Sequence, residues 1–231
     1  MEVELWQLAL LTLTGIAAGI LNVMAGGGSL LSLPVMLFLG LPGPVANGSN
    51  RLSIIAQNIV AVRTFFRRGF SDFRLSLTLS GAALPGAIIG SMVGVRLEGE
   101  WFERLLAIVM IGVLILMRFE GEKRSGPSLE LTPRRYWAGH LLMFFAGCWG
   151  GFIQVGVGFI LMPILHRVMG LDLVRVNMHK VFVVLVYTII ALAVFAAHVE
   201  ILWVAGFALA LGMRIGGWLG AHTTVHRGET W

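Results

Sequence analysis

The stretch Ala25-Gly26-Gly27-Gly28-Ser29-Leu30-Leu31-Ser32-Leu33-Pro34, running on to Asn47-Gly48-Ser49-Asn50-Arg51, decides how this chain is read. It has a second, looser copy in Gln154-Val155-Gly156-Val157-Gly158-Phe159-Ile160-Leu161-Met162-Pro163, running on to Asn177-Met178-His179-Lys180. Pro163 lies 129 residues after Pro34, and Lys180 lies 129 residues after Arg51. Both copies sit in surroundings too apolar for a soluble protein. Successive glycines make a poor helix interior, at roughly 1 kcal/mol each relative to alanine. An internal repeat in an all-membrane chain points to a two-halved transporter with a site between the halves.

Composition agrees. Of 231 residues, 57% are apolar and only 13% charged, against about 25% charged in a soluble domain. There is room for roughly seven to nine spans of about 20 residues. The expected class is an all-α, polytopic integral membrane protein, an inverted repeat of helical bundles with broken or re-entrant helices. Only helices satisfy every backbone polar group in such segments. The spans expected are 5–23, 29–39, 45–62, 75–95, 102–117, 137–152, 158–169, 174–196 and 201–221. Residues 5–39 cannot form one straight span: about 35 residues would cover about 52 Å, against a hydrocarbon core of about 30 Å. Each glycine break is therefore read as a hairpin or re-entrant pair. The single cysteine, Cys148, excludes a disulfide framework. The acidic start Met1-Glu2-Val3-Glu4 is the wrong flank for a cleaved signal peptide, so the first apolar stretch is expected in the mature protein. The net charge of +5 reflects Lys and Arg in bilayer-facing loops and calls for no nucleic-acid partner.

Charge placement sets the threading. Segment 63–74 carries Arg63, Arg67, Arg68 and Arg74 and is expected to be cytoplasmic. Its counterpart, 197–202, carries no Lys or Arg and is expected outside. Equivalent loops on opposite faces mean inverted halves, which requires an odd number of crossings in each; the hairpin reading supplies five. The chain divides into a first transmembrane repeat at 1–120, a cytoplasmic linker at 121–135 and a second repeat at 136–231. The second repeat stops at Trp231, where a counterpart of the 102–117 span would begin. Late in the halves, Gly86, Gly90 and Gly94 match Gly212, Gly216 and Gly220. Their four-residue spacing puts each set on one helix face, where backbones can approach closely.

Arg51 and Lys180 are the sharpest chemical signal. Each lies one to two turns into an apolar span, where a charge costs about 2.5–3.5 kcal/mol at the centre. Two cations related by inversion would approach the midplane from opposite faces, as an anion site between the halves requires; the alternative is snorkelling to the nearer headgroups. Asn47, Ser49 and Asn50 precede the first cation, and Asn177 and His179 precede the second. Gln57 and Asn58 lie two turns on, as donors to an anion or as interhelical hydrogen bonds. The breaks at Gly26, Gly27, Gly28 and Ser29, and at Gln154, Gly156 and Gly158, would offer backbone N–H groups at half-helix N-termini, which suit anions. The other reading is a tight turn with no ligand. Pro34 and Pro163 would kink or end a helix. His179 could serve as a proton-linked switch or as a structural hydrogen-bonding histidine. Arg214, deep in a span, would pair with Glu200 or line a water-filled path. The histidines show no metal-ligand spacing, so no metal or other cofactor is expected. No HExxH, P-loop, nucleophile elbow or intramembrane carboxylate cluster is present, so an enzyme is not expected.

With these residues in view, the chain resembles the sulfite exporter TauE/SafE family. The resemblance is carried by Gly26-Gly27-Gly28-Ser29, Leu33-Pro34 and Asn47-Gly48-Ser49-Asn50-Arg51, with the run Gly81, Pro85-Gly86, Gly90 and Gly94, and by repetition of the pattern over nearly the whole chain. It implies an inner-membrane permease exporting small sulfur-containing anions, such as sulfite or organosulfonates. The partners expected are that anion and the lipid bilayer, with a homo-oligomer allowed. The chain departs from the family pattern in its second break, thinned to Gln154-Val155-Gly156-Val157-Gly158. Rivals from other classes are a passive anion channel and a non-transporting membrane scaffold.

The inverted threading has a direct check. In a Cys148→Ala background, Arg67→Cys and His198→Cys are expected to react with a membrane-impermeant maleimide from opposite faces of the bilayer. Labelling from one face would overturn the inversion.

Overall fold

The structure, a computed structural model, describes residues 4–97, 99–119 and 131–227. Within them run α1 (Leu5–Met24), α2 (Ser29–Phe38), α3 (Gly43–Arg67), α4 (Phe73–Gly94), α5 (Glu100–Phe119), α6 (Pro133–Phe152), α7 (Val157–Pro163), α8 (Leu173–His198) and α9 (Trp203–Arg227). A π-helical turn, Ile164–Val168, continues α7. No strand occurs among the described residues. Most of the expected linker 121–135, and the last residues of the second repeat, lie outside the described residues; Pro133 to Arg135 already form the first turn of α6.

Helix starts follow local chemistry. Asp72 and Asp172 open α4 and α8, each accepting a bond from the backbone N–H three residues on, Leu75 and Arg175. Thr132 does the same for α6, followed by proline at the first helical position. Two boundaries differ from the sequence expectation. Helix α3 runs on to Arg67, so Arg63 and Arg67 stand on its last turns and the loop shrinks to 68–72. Pro34 stands inside α2, which continues to Phe38, whereas Pro163 marks the change from α to π geometry. Helix α2 has 10 residues, about 15 Å, half of a hydrocarbon core. With its π turn, α7 is little longer. Both are re-entrant segments, not full crossings.

Close contacts fix the helix directions. Gly15 and Gly19 of α1 meet Gly212 and Gly216 of α9 in the same order, so these helices run parallel. Gly86 and Gly90 of α4 likewise meet Cys148 and Phe152 of α6. Ser49 of α3 faces Gly206, and Gln57 faces Gly217, adding α3 to the first group. Ser76 and Gly94 of α4 face His179 and Phe195, adding α8 to the second. Gly48, near the start of α3, touches Phe195, near the end of α8. The end of α3 shares an apolar cluster (Ala61, Phe65) with the start of α8 (Val174, Met178). The two groups are therefore antiparallel, and the halves are related by inversion. Each half lends its first helix to the other: α1 lies on α9, and α6 lies on α4.

These contacts are backbone on backbone. A Cβ at Gly212 would stand 1.9 Å from the carbonyl oxygen of Thr12, and one at Gly90 would stand 1.9 Å from that of Cys148. Four helices, α1, α4, α8 and α9, are long and apolar enough to cross a membrane. Their outer faces carry exposed Leu13, Leu77, Ile89, Ile189 and Phe207, a surface suited to lipid. The chain is a multi-pass membrane protein. Helix α3 is different in kind: Asn47, Ser49, Asn50, Arg51, Ser53, Gln57 and Asn58 are all buried along it.

Gly81, on the same helix as Gly90, has open space where a Cβ would go. Gly90→Ala is expected to cost about 1–3 kcal/mol of stability by overpacking. Gly81→Ala should be neutral or stabilising by up to about 1 kcal/mol. Denaturant unfolding followed by tryptophan fluorescence checks both.

Candidate functional site

The two glycine breaks meet each other. Gly26 adopts the left-handed backbone (φ 79°), as do Gln154 (φ 61°) and Gly156 (φ 68°), the N-cap of α7. The Gly158 N–H donates to the Gly26 carbonyl at 3.3 Å. A Cβ on either glycine would fall within 2.2 Å of the other's Cα. The Gly26 N–H is itself bonded to Leu21 O at 3.1 Å. Gly27 packs on the Phe159 ring, and Gly28 packs on the backbone of Ala18.

Around this contact lie two polar clusters, one per break. In the first, the buried Arg51 guanidinium reaches from α3 to the C-terminus of α6. Nη1 donates to Gly150 O at 3.1 Å and to Gln154 Oε1 at 3.0 Å, and Nη2 donates to Gly151 O. The Phe195 ring lies 4.4 Å from the guanidinium carbon. Asn47 Nδ2 donates to Phe152 O at 2.9 Å, on the same helix end. Gln154 Nε2 donates to Thr188 Oγ1 at 3.0 Å. In the second cluster, the buried Lys180 ammonium reaches from α8 to the C-terminus of α1. It donates to Val23 O and to Asn177 Oδ1, both at 2.7 Å. Asn22 Nδ2 donates to Gln57 Oε1 at 3.1 Å. Each cation thus sits at the negative end of a helix dipole belonging to the other half.

Asn50 does separate work. Its Oδ1 accepts from Ser32 Oγ at 2.8 Å, and its Nδ2 donates to Ser29 Oγ at 3.3 Å, so it ties the re-entrant α2 to α3. His179 is buried outside both clusters, with Nδ1 2.8 Å from Ser76 Oγ on α4. The structure therefore brings together Arg51 with Asn47 and Gln154, and Lys180 with Asn177, Gly26 and Gly158. It does not bring His179 to either cation. Arg214 is nowhere near Glu200; it lines a surface cleft with arginines of α3.

Several buried polar atoms have no partner in hydrogen-bonding geometry among the described residues. They include Arg51 Nε, Gln57 Nε2, Asn58 Nδ2 and Tyr187 Oη. All four can donate. Asn47 Oδ1 and His179 Nε2 are also unpartnered. Tyr187 lies 129 residues after Asn58, so the two stand at matched repeat positions. A cavity of about 10 Å3 lined by Asn22, Gly26, Asn58, Gly158 and Lys180 lies at the break, room for about one water. Asn22, Tyr187 and Thr188 were not singled out from the sequence. Asn22 was legible as a lone amide in the last turn before a glycine break, and Tyr187 as the mate of Asn58. Among the described residues no three His, Cys, Asp or Glu converge to hold a metal.

The profile of the sulfite exporter TauE/SafE family matches residues 11–231. The chain belongs to that family. The chain is also similar to a probable membrane transporter protein of Haemophilus influenzae, 24% identical over all of this chain and 90% of its own length. Another is the probable membrane transporter protein ORF9 of Sinorhizobium sp, 23% identical over 96% of this chain and 84% of its own. A third is the probable membrane transporter protein YfcA of Escherichia coli K12, 23% identical over 96% and 82%. No solved structure matches the chain. Family and relatives together make this TauE/SafE protein a membrane transporter of a small molecule.

The cap on α6 has a measurable consequence. Arg51→Met leaves two carbonyls and the Gln154 side chain without their donor, and is expected to cost about 3 kcal/mol. Unfolding in mixed micelles reads the loss; an unchanged midpoint would show that Arg51 carries no structural load.

Proposed function

We propose that this protein exports small sulfur-containing oxyanions, sulfite or organosulfonates, across the inner membrane by alternating access, with a proton gradient as driver. Its halves are 1–120 and 136–231, joined by a cytoplasmic linker at 121–135. The anion is held between them by Arg51, Lys180, Asn47, Asn50, Asn177 and Gln154. The backbone at Gly26, Gly27, Gly28 and Ser29 and at Gly156 and Gly158 shapes the walls. His179, buried between the halves against Ser76 of α4 and outside both cation clusters, is the coupling group.

The observation that carries this reading is the set of unpartnered donors, Arg51 Nε, Gln57 Nε2, Asn58 Nδ2 and Tyr187 Oη, buried beside two cations. Leaving such a group unpaired costs about 1–3 kcal/mol, and an oxyanion is the complement that satisfies it. In the closed arrangement the cations are occupied by helix carbonyls. An entering anion competes with those carbonyls for Arg51 and Lys180, loosening the caps that join the halves. Rocking of the α1–α3–α9 group against the α4–α6–α8 group then exchanges access between the faces. The family and the relatives' names support transport as such; the substrate class rests on the family description and on the donor chemistry.

Tyr187→Phe and Asn58→Ala test this without removing any of the bonds that join Arg51 to the end of α6. Each is expected to leave thermal stability intact and to slow sulfite efflux from loaded vesicles about tenfold, a loss of about 1.4 kcal/mol. Arg51→Glu should abolish flux. Unchanged flux in all three would reject the site. Flux that neither saturates nor responds to an imposed proton gradient would mark a channel, and a wild-type chain without flux would mark a scaffold. Anion-dependent thermal stabilisation across sulfite, sulfate, sulfonates and carboxylates ranks the substrates.

A further inference from the structure

An open cleft lies away from the breaks. It has a volume of about 780 Å3 and runs between α3 and α9. Its basic lining is Arg63, Arg67, Arg68 and Arg214, with His222 beside them. Arg68 Nη2 lies 3.0 Å from His222 Nδ1, and the His222 ring stacks on Trp218 with centroids 5.5 Å apart. No carboxylate of the described residues lies within ion-pair distance of the four arginines. The rest of the lining is Val60, Leu211, Ile215 and Trp218, with Thr64, whose hydroxyl donates to Val60 O at 2.8 Å.

Three features set this cleft apart from ordinary loop charge. Arg214 stands near the middle of α9, where the preference for positive loops on the cytoplasmic side does not apply. Its neighbours Leu211, Ile215 and Trp218 are exposed, as are Ile59 and Phe66 on α3, so the cleft opens toward lipid rather than toward an aqueous path. On the repeat-related surface of α8 and α4, Leu192, Ala196, Ala197 and Ile88 stand in place of Arg63, Arg67, Arg68 and Arg214, while Arg96 stands in place of His222. The fold therefore does not require the four arginines.

We propose that this cleft binds the phosphate headgroup of an anionic phospholipid in the cytoplasmic leaflet. The guanidiniums of Arg63, Arg67, Arg68 and Arg214 bind the phosphodiester, and Trp218, Leu211, Ile215 and Val60 receive the first part of the acyl chains. Arginine forks match phosphate oxygens in pairs, and basic pockets between cytoplasmic ends of membrane helices suit such headgroups. Phosphate is common to lipid and free anion. The apolar walls and the lipid-facing mouth favour the lipid, because a soluble anion would gain nothing from them.

The test uses the intact detergent-purified protein, with thermal melting and native mass spectrometry against four probes. These are dioleoyl phosphatidylglycerol, dioleoyl phosphatidylcholine, glycerol phosphate and inorganic phosphate. Phosphatidylglycerol is expected to raise the melting temperature by several degrees and to remain bound, while phosphatidylcholine with the same chains does neither. Arg63→Gln/Arg214→Gln should weaken the phosphatidylglycerol response at least tenfold. The exposed pair Arg67→Gln/Arg68→Gln serves if the first variant melts before lipid is added. Arg134→Gln/Arg175→Gln removes equal charge from the same face away from the cleft and should leave the response intact. An equal shift with phosphatidylcholine, an equal shift with either soluble phosphate, or an equal loss in the Arg134/Arg175 control would each overturn the proposal.

Discussion

A broken membrane helix leaves carbonyls without donors in a place where water cannot reach them, and everything central to this fold answers that need. The ends of α1 and α6 stop short at glycine-rich breaks. Their last carbonyls are met by Lys180 and Arg51, which come from the opposite half in each case. A buried cation and a buried helix end would each be costly alone. Together they offset one another, because the negative end of the helix dipole is where a cation is most favourable. The exchange is reciprocal, so neither half can complete its own break.

The same reciprocity governs packing. Lipid chains are as apolar as leucine, so burial of apolar side chains gives little drive for helices to associate in a bilayer. Close backbone approach replaces it here. Glycines at four-residue spacing on α9 and α4 receive α1 and α6, again across the halves. Polar cross-links complete the set, from Asn50 to the re-entrant α2 and from Ser49 Oγ to the backbone N–H of Leu202. The polar helix α3 is affordable at the centre because α9, α8, α2, α1 and α5 pack on it and its side chains reach the end of α6.

How much of this the sequence disclosed follows from what kind of signal each feature leaves. One glycine triplet, a 129-residue offset and mid-span cations are local and discrete, and they led directly to the breaks and the paired positions of Arg51 and Lys180, while the arginines of 63–74 led to the inversion. The glycine faces were equally visible. What they touch was not, because a small-residue stripe does not name its partner. The lengths of α2 and α7 were legible in the spans 29–39 and 158–169; whether each crosses or turns back was not, since a short apolar run reads alike in both cases. The partners of the cations were hidden too. A cation in a span suggests an anion, whereas the carbonyl oxygens that hold these two belong to residues, Gly150, Gly151 and Val23, with no polar side chain to announce them. Arg214 shows the same limit: the sequence offered Glu200, but α9 separates the two along its length.

The crossing of first helices between the halves also bears on the order in which the molecule is made. Helix α1 leaves the ribosome before α8 and α9, yet the surface that receives it is on α9 and the ammonium that completes its end is on α8. Until α7 and α8 enter the bilayer, the break at Gly26 has neither its neighbour Gly158 nor its cap Lys180. The end of α1 must therefore wait for helices that follow it in the chain. Assembly closes in one late, long-range step rather than span by span, and a chain released early would leave α1 as an unclaimed helix for quality control to find.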